Sequence, residues 1–143
     1  MQLQHLYIRN FRNYEEAEVS FSSGINLIHG PNAEGKTNLL EAIYLLSTGS
    51  SFRTLYLSEL ICYKQPHFYL EAHMLKDGLT QTIKISFDGK IRYLQYNHTT
   101  YASFAPLLGL FPTVLFAPED IALINGAPSE RRRFLDLHIA QID

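Results

Sequence analysis

The stretch that decides the fold reads Gly30-Pro31-Asn32-Ala33-Glu34-Gly35-Lys36-Thr37. It matches the P-loop pattern, in which two glycines let the backbone curl around a phosphate group without a Cβ in the way. Successive backbone N–H groups of residues 33–37 are then expected to point inward as an anion-binding nest. Lys36 is predicted to be the catalytic cation at the β- and γ-phosphates, and the hydroxyl of Thr37 to be a ligand for Mg²⁺.

The segments on either side of the motif supply the context that a P-loop requires. Residues 25–28 form an apolar run that is typical of a buried strand, and residues 36–47 place their apolar side chains at helical spacing. Gly49 is suited to end that helix. A chance match in a glycine-containing loop is the alternative. The strand and the helix together favour a nucleotide site, because the positive end of the helix also attracts phosphate.

Length and composition are those of a folded protein. The 143 residues are 46% hydrophobic and 18% charged, so one compact domain is expected and a disordered chain is excluded. No apolar stretch approaches the roughly 20 residues needed to cross a bilayer, and the first residues do not form a signal peptide, so a cytoplasmic location is expected. A single cysteine, Cys62, excludes an internal disulfide. The net charge of −2 gives no global field that would indicate nucleic acid.

Hydrophobic patterning predicts further strands and a last helix. A strand near residues 3–9 is followed by a polar turn and by a half-buried strand around Val19. Residues 113–116 are typical of another buried strand. A final helix is expected from about residue 128 to residue 143, and because no capping signal follows it, the chain is expected to be cut from a longer one.

Residues 67–97 alternate polar and apolar side chains around two turn signals, Asp77-Gly78 and Asp88-Gly89, which predicts an antiparallel meander of three strands. A small-molecule kinase would place helices after the P-loop helix, and guanine readers usually contain an Asn-Lys-x-Asp segment, which this sequence lacks. A strand, a P-loop, a helix and a β-rich insert are instead the order of the ABC-type ATPase heads. The predicted fold class is therefore α/β: a P-loop NTPase, an ABC/SMC-type ATPase head lobe with a parallel core and an antiparallel β insert.

Four blocks of sequence resemble the RecF family, bacterial recombination mediators of the SMC-like ABC ATPase group. The blocks are LYIRNFRNY at residues 6–14, TNLLEAIY at 37–44, SFRT at 51–54, and the segment from FAPED to GAPSERRRFLD at 116–136. The resemblance implies an ATP-dependent DNA-binding protein of recombinational repair and replication restart. ATP and Mg²⁺ are its implied cofactors. Its implied partners are gapped or junction DNA, a RecR-type protein and a second copy of itself. Residues 1–143 are then expected to be the N-terminal ATP-binding lobe, without the C-terminal lobe and arm.

The resemblance also implies contacts for individual arginines. Arg12 and Asn13 are implied beside the base, ribose or phosphates of the nucleotide, and a solvated turn is the alternative for Arg12. Candidates for contact with DNA phosphates are Arg53, Arg131, Arg132 and Arg133. For the run of three arginines, the alternative is a solvated helix face paired with neighbouring acids.

Glu119 and Asp120 stand where ABC heads have a glutamine that senses Mg²⁺ and the γ-phosphate, and this sequence has no glutamine there. They are alternatively acids at the N-terminus of a helix. Two other functions stay open: a nucleotide-binding adaptor that does not hydrolyse ATP, and a small-molecule P-loop kinase. Because the Walker B carboxylates and the signature motif of the family do not occur in these residues, the chain as given is expected to bind ATP weakly without turnover.

Overall fold

The computed structural model describes residues 1–117 and 126–139. Its strands and helices, in chain order, are β1 (Gln2–Phe11), β2 (Tyr14–Ser20), α1 (Lys36–Thr48), β3 (Phe68–Lys76), β4 (Leu79–Phe87), β5 (Arg92–Tyr96), β6 (Thr99–Thr100) and α2 (Pro128–Ile139). Two short 3-10 helices lie between them, at Leu57–Leu60 and Ala105–Leu107.

The six strands form one antiparallel sheet in the order β2-β1-β3-β4-β5-β6. The turn between β3 and β4 is Asp77-Gly78, with φ values of 52° and 79°. Two successive positive φ values match the right-handed twist of the flanking strands, which is why Asp-Gly is favoured there. Because β1 pairs with both β2 and β3, the strands within residues 67–97 continue the sheet that the first hairpin begins.

The core lies between α1 and one face of this sheet. The buried face of α1 presents Leu39, Ala42, Leu45 and Leu46, and the sheet contributes Leu6, Ile8, Leu70, Ile83, Ile85 and Leu94. The predicted helix stop is confirmed, since Gly49 has a φ of 72° and donates its N–H to the carbonyl of Leu45 at 2.8 Å. A Cβ at Gly49 would also collide with the ring of Phe104. The packing therefore fixes how α1 crosses the sheet, and with it the position of the P-loop.

The predicted strand at residues 25–28 is wrong in this structure. Ile25 and Leu27 are 97% and 84% exposed, and the segment forms no strand ladder. Residues 113–116 are also irregular, and Val114 and Phe116 are 83% and 92% exposed. Every strand pairing among residues 1–117 and 126–139 is antiparallel, so the expected parallel core is not found there. An apolar run becomes a buried strand only where a neighbouring strand pairs with it, and these two segments have no such neighbour in the described part of the chain.

The last described element, α2, begins at Pro128, where the sequence predicts a helix start. Proline suits the first turn of a helix because its missing N–H has no partner there in any case. Leu135 and Ile139 are each 55% exposed on this helix. Within the ranges described, no helix is long and apolar enough to span a membrane.

Candidate nucleotide-binding site

Residues 30–35 form the loop that leads into α1. The backbone takes positive φ values at Gly30 (153°), Ala33 (69°) and Gly35 (104°), and such values cost least at glycine. Gly35 is buried, whereas the preceding loop residues are open to solvent in front of the first turn of α1. The exposed stretch includes the predicted site residues Pro31, Asn32, Ala33 and Glu34.

The N-terminus of α1 is open to an incoming anion. Gly35 is its N-cap, no side chain caps it, and its first turn contains no acidic residue. The first backbone N–H groups of a helix have no partner within the helix, and the helix dipole makes this end positive. Thr37 is exposed on this first turn. The residues present therefore fit a phosphate group and a hydroxyl ligand for its metal ion.

Lys36 is folded back over the loop. Its Nζ donates hydrogen bonds to the carbonyl of Gly30, at 2.7 Å, and to the carbonyl of Pro31. The ammonium group therefore lies over the loop that the motif predicts for phosphate. A phosphate oxygen is a stronger acceptor for an ammonium group than a neutral carbonyl, because it is charged.

The turn between β1 and β2 lies against the last glycine of the loop. A Cβ at Gly35 would be 2.8 Å from Oδ1 of Asn13 and 3.1 Å from a ring carbon of Tyr14. The hydroxyl of Tyr14 donates to the carbonyl of Gly35 at 3.2 Å, and Nδ2 of Asn38 on α1 donates to Oδ1 of Asn13 at 2.7 Å. The structure thus places the predicted residue Asn13 directly on the P-loop.

Arg12, in the same turn, forms a two-point ion pair with Glu41 of α1. Its Nε donates to Oε2 of Glu41 at 2.9 Å, and its Nη2 donates to Oε1 at 2.7 Å. Its Nη1 donates to the carbonyl of Glu59 at 3.0 Å. The Glu41 side chain is fully buried, with 0% exposure, and that of Arg12 is 19% exposed. A two-point arginine–carboxylate pair fixes orientation as well as distance.

Arg53 reaches the same carboxylate from the other side. Its Nη1 lies 3.2 Å from Oε2 of Glu41 and donates to Oδ1 of Asn38 at 2.7 Å. The hydroxyl of Ser51 donates to Oε1 of Glu41 at 2.5 Å. The Arg53 side chain is 42% exposed. We refer below to Arg12, Glu41, Ser51 and Arg53 as the Glu41 cluster.

Glu41 remains ionised in this cluster. Burial alone would raise its pKa, but hydrogen bonds from Arg12 and Ser51 and the charges of Arg12 and Arg53 act in the opposite direction. The net effect is a pKa below the ordinary value, because the charged form has more hydrogen-bond partners than the neutral form.

The sequence profile of the family described as "AAA domain" matches residues 5–106. The chain belongs to the AAA domain family. Over all its 143 residues it is 50% identical to "DNA replication and repair protein RecF" of Protochlamydia amoebophila, and it covers 40% of that protein. It is 46% identical to the RecF protein of Chlamydia caviae and covers 39% of it. The chain therefore spans about 40% of the length of the curated relatives it matches.

Solved structures also resemble the chain. The structure titled "Structure of the recombination mediator protein RecF-ATP in RecFOR pathway" matches with a TM-score of 0.94 at 40% identity, over 99% of this chain and 39% of that chain. A structure from a study of SMC ATPases matches with a TM-score of 0.76 at 18% identity, over 96% of this chain and 99% of that one, which shows a shared fold. The predicted fold class, an ABC/SMC-type ATPase head lobe, and the predicted resemblance to RecF are confirmed.

The remaining predicted residues of the chain lie on α2 or outside the described ranges. Arg131 and Arg132 are exposed on α2, and Nη1 of Arg131 donates to the carbonyl of Gly126 at 3.1 Å. The side chain of Arg133, and both Glu119 and Asp120, lie outside what the structure describes. DNA contact by these arginines stays a prediction.

Sequence reasoning missed Glu41, Asn38 and Ser51 as parts of the site. A signal for Glu41 was present, because it precedes the buried Leu45 by four positions and so falls on the core-facing side of α1. A glutamate at a core-facing position needs a cationic partner, since an unpaired buried charge is costly. The sequence alone does not show which arginines pair with Glu41, because Arg12 is 29 residues away from it along the chain.

Proposed function

We propose that this chain is the ATP-binding lobe of a RecF-like DNA-binding protein of recombinational repair and replication restart. ATP bound at the P-loop controls dimerisation of the full-length protein and its binding to gapped or junction DNA. The proposal is supported most directly by one observation: the open N-terminus of α1, with Lys36 over its P-loop, occurs in a chain that matches the RecF-ATP structure with a TM-score of 0.94. A RecR-type partner is proposed because the matched RecF-ATP structure is described as belonging to the RecFOR pathway.

Each residue of the proposed site has a defined task. The backbone N–H groups of residues 33–37 hold the β-phosphate, and Lys36 moves from the carbonyls of Gly30 and Pro31 to the β- and γ-phosphate oxygens. Thr37 would supply a hydroxyl ligand to Mg²⁺, and the bound ion would neutralise phosphate charge. Asn13, which lies against Gly35, is proposed to lie beside the bound nucleotide. Residues 1–143 alone are expected to bind ATP weakly and not to turn it over.

For the DNA contacts, the charge and exposure of three arginines support the proposal. Arg131 and Arg132 are exposed on α2, and the side chain of Arg53 is partly exposed beside the P-loop helix. Exposed arginines form charge-assisted bonds to phosphate oxygens, and this type of binding weakens as salt rises.

The decisive comparison is DNA binding with and without ATP in the full-length protein and in its Lys36→Ala variant. We expect ATP to change the affinity of the unsubstituted protein for gapped duplex DNA and to leave that of the variant unchanged. Lys90→Ala is the matched control, since Lys90 is an exposed lysine in the turn between β4 and β5. If the Lys36 variant still responds to ATP as the control does, the nucleotide switch is refuted. Phosphate transfer to an added small acceptor, without an effect of DNA, would favour the kinase alternative.

A further inference from the structure

Arg12 occupies a backbone conformation that arginine seldom adopts. Its φ is 54°, in the left-handed region, and that of Asn10 two residues earlier is 53°. Asparagine tolerates this region and glycine is favoured in it, whereas a long side chain there needs a stabilising environment. Residues in strained conformations persist only where the surrounding structure holds them, and they cluster at functional sites.

Four hydrogen bonds hold Arg12 in that conformation. Its backbone N–H donates to the carbonyl of Leu60 at 2.7 Å, and its guanidinium group donates twice to Glu41 and once to the carbonyl of Glu59. The two bonds to Glu41 end on a negatively charged carboxylate, whereas the other two end on neutral backbone carbonyls. Because the Glu41 side chain is completely buried in α1, the partner of Arg12 is fixed to the rigid core.

The same carboxylate joins three separate segments of the chain. It accepts hydrogen bonds from Arg12 in the β1–β2 turn and from Ser51 and Arg53 in the segment after α1, while its own backbone belongs to α1. Two guanidinium groups face one carboxylate, so Arg12 and Arg53 are both oriented by it. Neither arginine has another carboxylate partner within 4.0 Å among the described residues.

Asn13, the residue that follows Arg12, connects the Arg12–Glu41 ion pair to the P-loop. Asn13 contacts Gly35 and accepts a hydrogen bond from Asn38, and Tyr14 donates to the carbonyl of Gly35. A contiguous series of contacts therefore runs from Glu41 through Arg12 and Asn13 to the last glycine of the loop.

We propose that Glu41 is a positioning residue for nucleoside triphosphate binding. It acts through Arg12, by holding the β1–β2 turn against Gly35 and the first turn of α1. Glu41 itself is not proposed to contact phosphate. The inference rests on the proposed function, in that the P-loop binds ATP, and it adds a buried carboxylate that the P-loop motif does not contain.

The test measures the Kd for MgATP in the full-length protein and in its Glu41→Gln and Arg12→Ala variants. Glu41→Gln keeps the size of the side chain but removes the charge and one acceptor. We expect it to raise the Kd about tenfold, the equivalent of one charge-assisted hydrogen bond. Arg12→Ala should raise the Kd by a similar factor, and the double variant should bind no more weakly than the weaker single variant.

Glu59→Gln is the matched control. Its carboxylate is an exposed neighbour that accepts from the hydroxyl of Thr54, and only its backbone carbonyl contacts Arg12. The control should bind MgATP as the unsubstituted protein does. Thermal melting of every variant separates a loss of affinity from a loss of folded protein, since a merely structural role would lower Tm without raising the Kd of the folded fraction.

Each outcome decides one question. If the unsubstituted protein and Lys36→Ala bind MgATP equally weakly, the proposed function fails. If the unsubstituted protein binds well but Glu41→Gln binds equally well or more tightly, or if the effects of Glu41→Gln and Arg12→Ala simply add, the positioning inference is overturned. If Glu41→Gln does not fold, the Arg12→Lys variant is measured in its place, because lysine keeps the positive charge and loses the two-point geometry. A higher Kd for this variant supports the inference. An unchanged Kd overturns it.

Discussion

The ammonium group of Lys36 lies 2.7 Å from the carbonyl oxygen of Gly30, the first residue of the same loop. The ammonium group of Lys36 thus hydrogen-bonds to backbone carbonyls of the P-loop, at Gly30 and at Pro31. We expect an entering phosphate, which has a full negative charge, to replace these neutral carbonyls as the acceptor for the ammonium group.

Gly35→Ala is expected to weaken MgATP binding far more than Gly24→Ala. Both glycines have positive φ values, 104° and 84°, so both substitutions strain the backbone by about 1 kcal/mol. An added Cβ meets Asn13 at 2.8 Å in the first case and nothing within 4 Å in the second. Isothermal titration calorimetry of the two variants separates the effect of the steric clash with Asn13 from that of backbone strain, because strain occurs in both variants. Equal losses of affinity would contradict the described contact between the turn and the loop.

Arg12→Ala is expected to destabilise the folded protein by about 2 kcal/mol, the range for losing hydrogen bonds to a charged group. The buried carboxylate of Glu41 keeps only Ser51 and the more distant Arg53 in that variant. Arg9→Ala serves as the control, because Arg9 is exposed on β1, and a change within about 0.5 kcal/mol is expected there. Urea denaturation measures both. Equal destabilisation by the two substitutions would show that the Arg12–Glu41 pair adds nothing to the free energy of unfolding beyond the effect of removing an exposed arginine.

Stability is expected to fall as pH drops below the ordinary glutamate pKa of 4.5. The pKa of Glu41 is lower in the folded chain than in the unfolded chain, so the unfolded chain binds more protons between the two values. The stabilising contribution is therefore complete above that ordinary value and is lost as pH falls through the folded pKa. Urea denaturation at several acidic pH values should show a shallower pH dependence for Glu41→Gln. An identical slope in the variant would contradict the assignment.

Glu71 provides a second, independent contribution of the same sign. Burial would raise its pKa, but the hydroxyl of Tyr69, the charge of Lys84 and a hydrogen bond with His73 lower it overall. Glu71→Gln should therefore also reduce the pH dependence, without changing the Kd for MgATP, because Glu71 lies on β3 and is not part of the Glu41 cluster. A change in nucleotide affinity for this variant would argue against the boundaries of the site drawn above.

Thr37→Val is expected to lower the affinity for ATP only when Mg²⁺ is present. Valine keeps the shape of threonine and removes the hydroxyl, which is the proposed metal ligand. Titrations with ATP in Mg²⁺ and in EDTA should thus differ for the unsubstituted protein and converge for the variant. If the variant keeps the full effect of Mg²⁺, Thr37 is not a ligand.

Local signals in the sequence predicted much of this structure. The helix after the P-loop, its stop at Gly49 and the Asp77-Gly78 turn depend on residues close together in the chain, and all three are found where expected. Residues 25–28 were misassigned because burial of an apolar strand depends on a partner strand, which local pattern does not reveal. The role of Glu41 escaped for the same reason, since its partner Arg12 comes from a distant turn.

The most direct test of the account is the Kd for MgATP of the full-length protein compared with that of Lys36→Ala, measured by isothermal titration calorimetry. Loss of one ammonium group that bonds to phosphate should raise the Kd by about 10- to 100-fold. Lys90→Ala should leave the Kd unchanged. Equal affinity of the Lys36 and Lys90 variants would contradict the claim that this loop is a nucleotide-binding site.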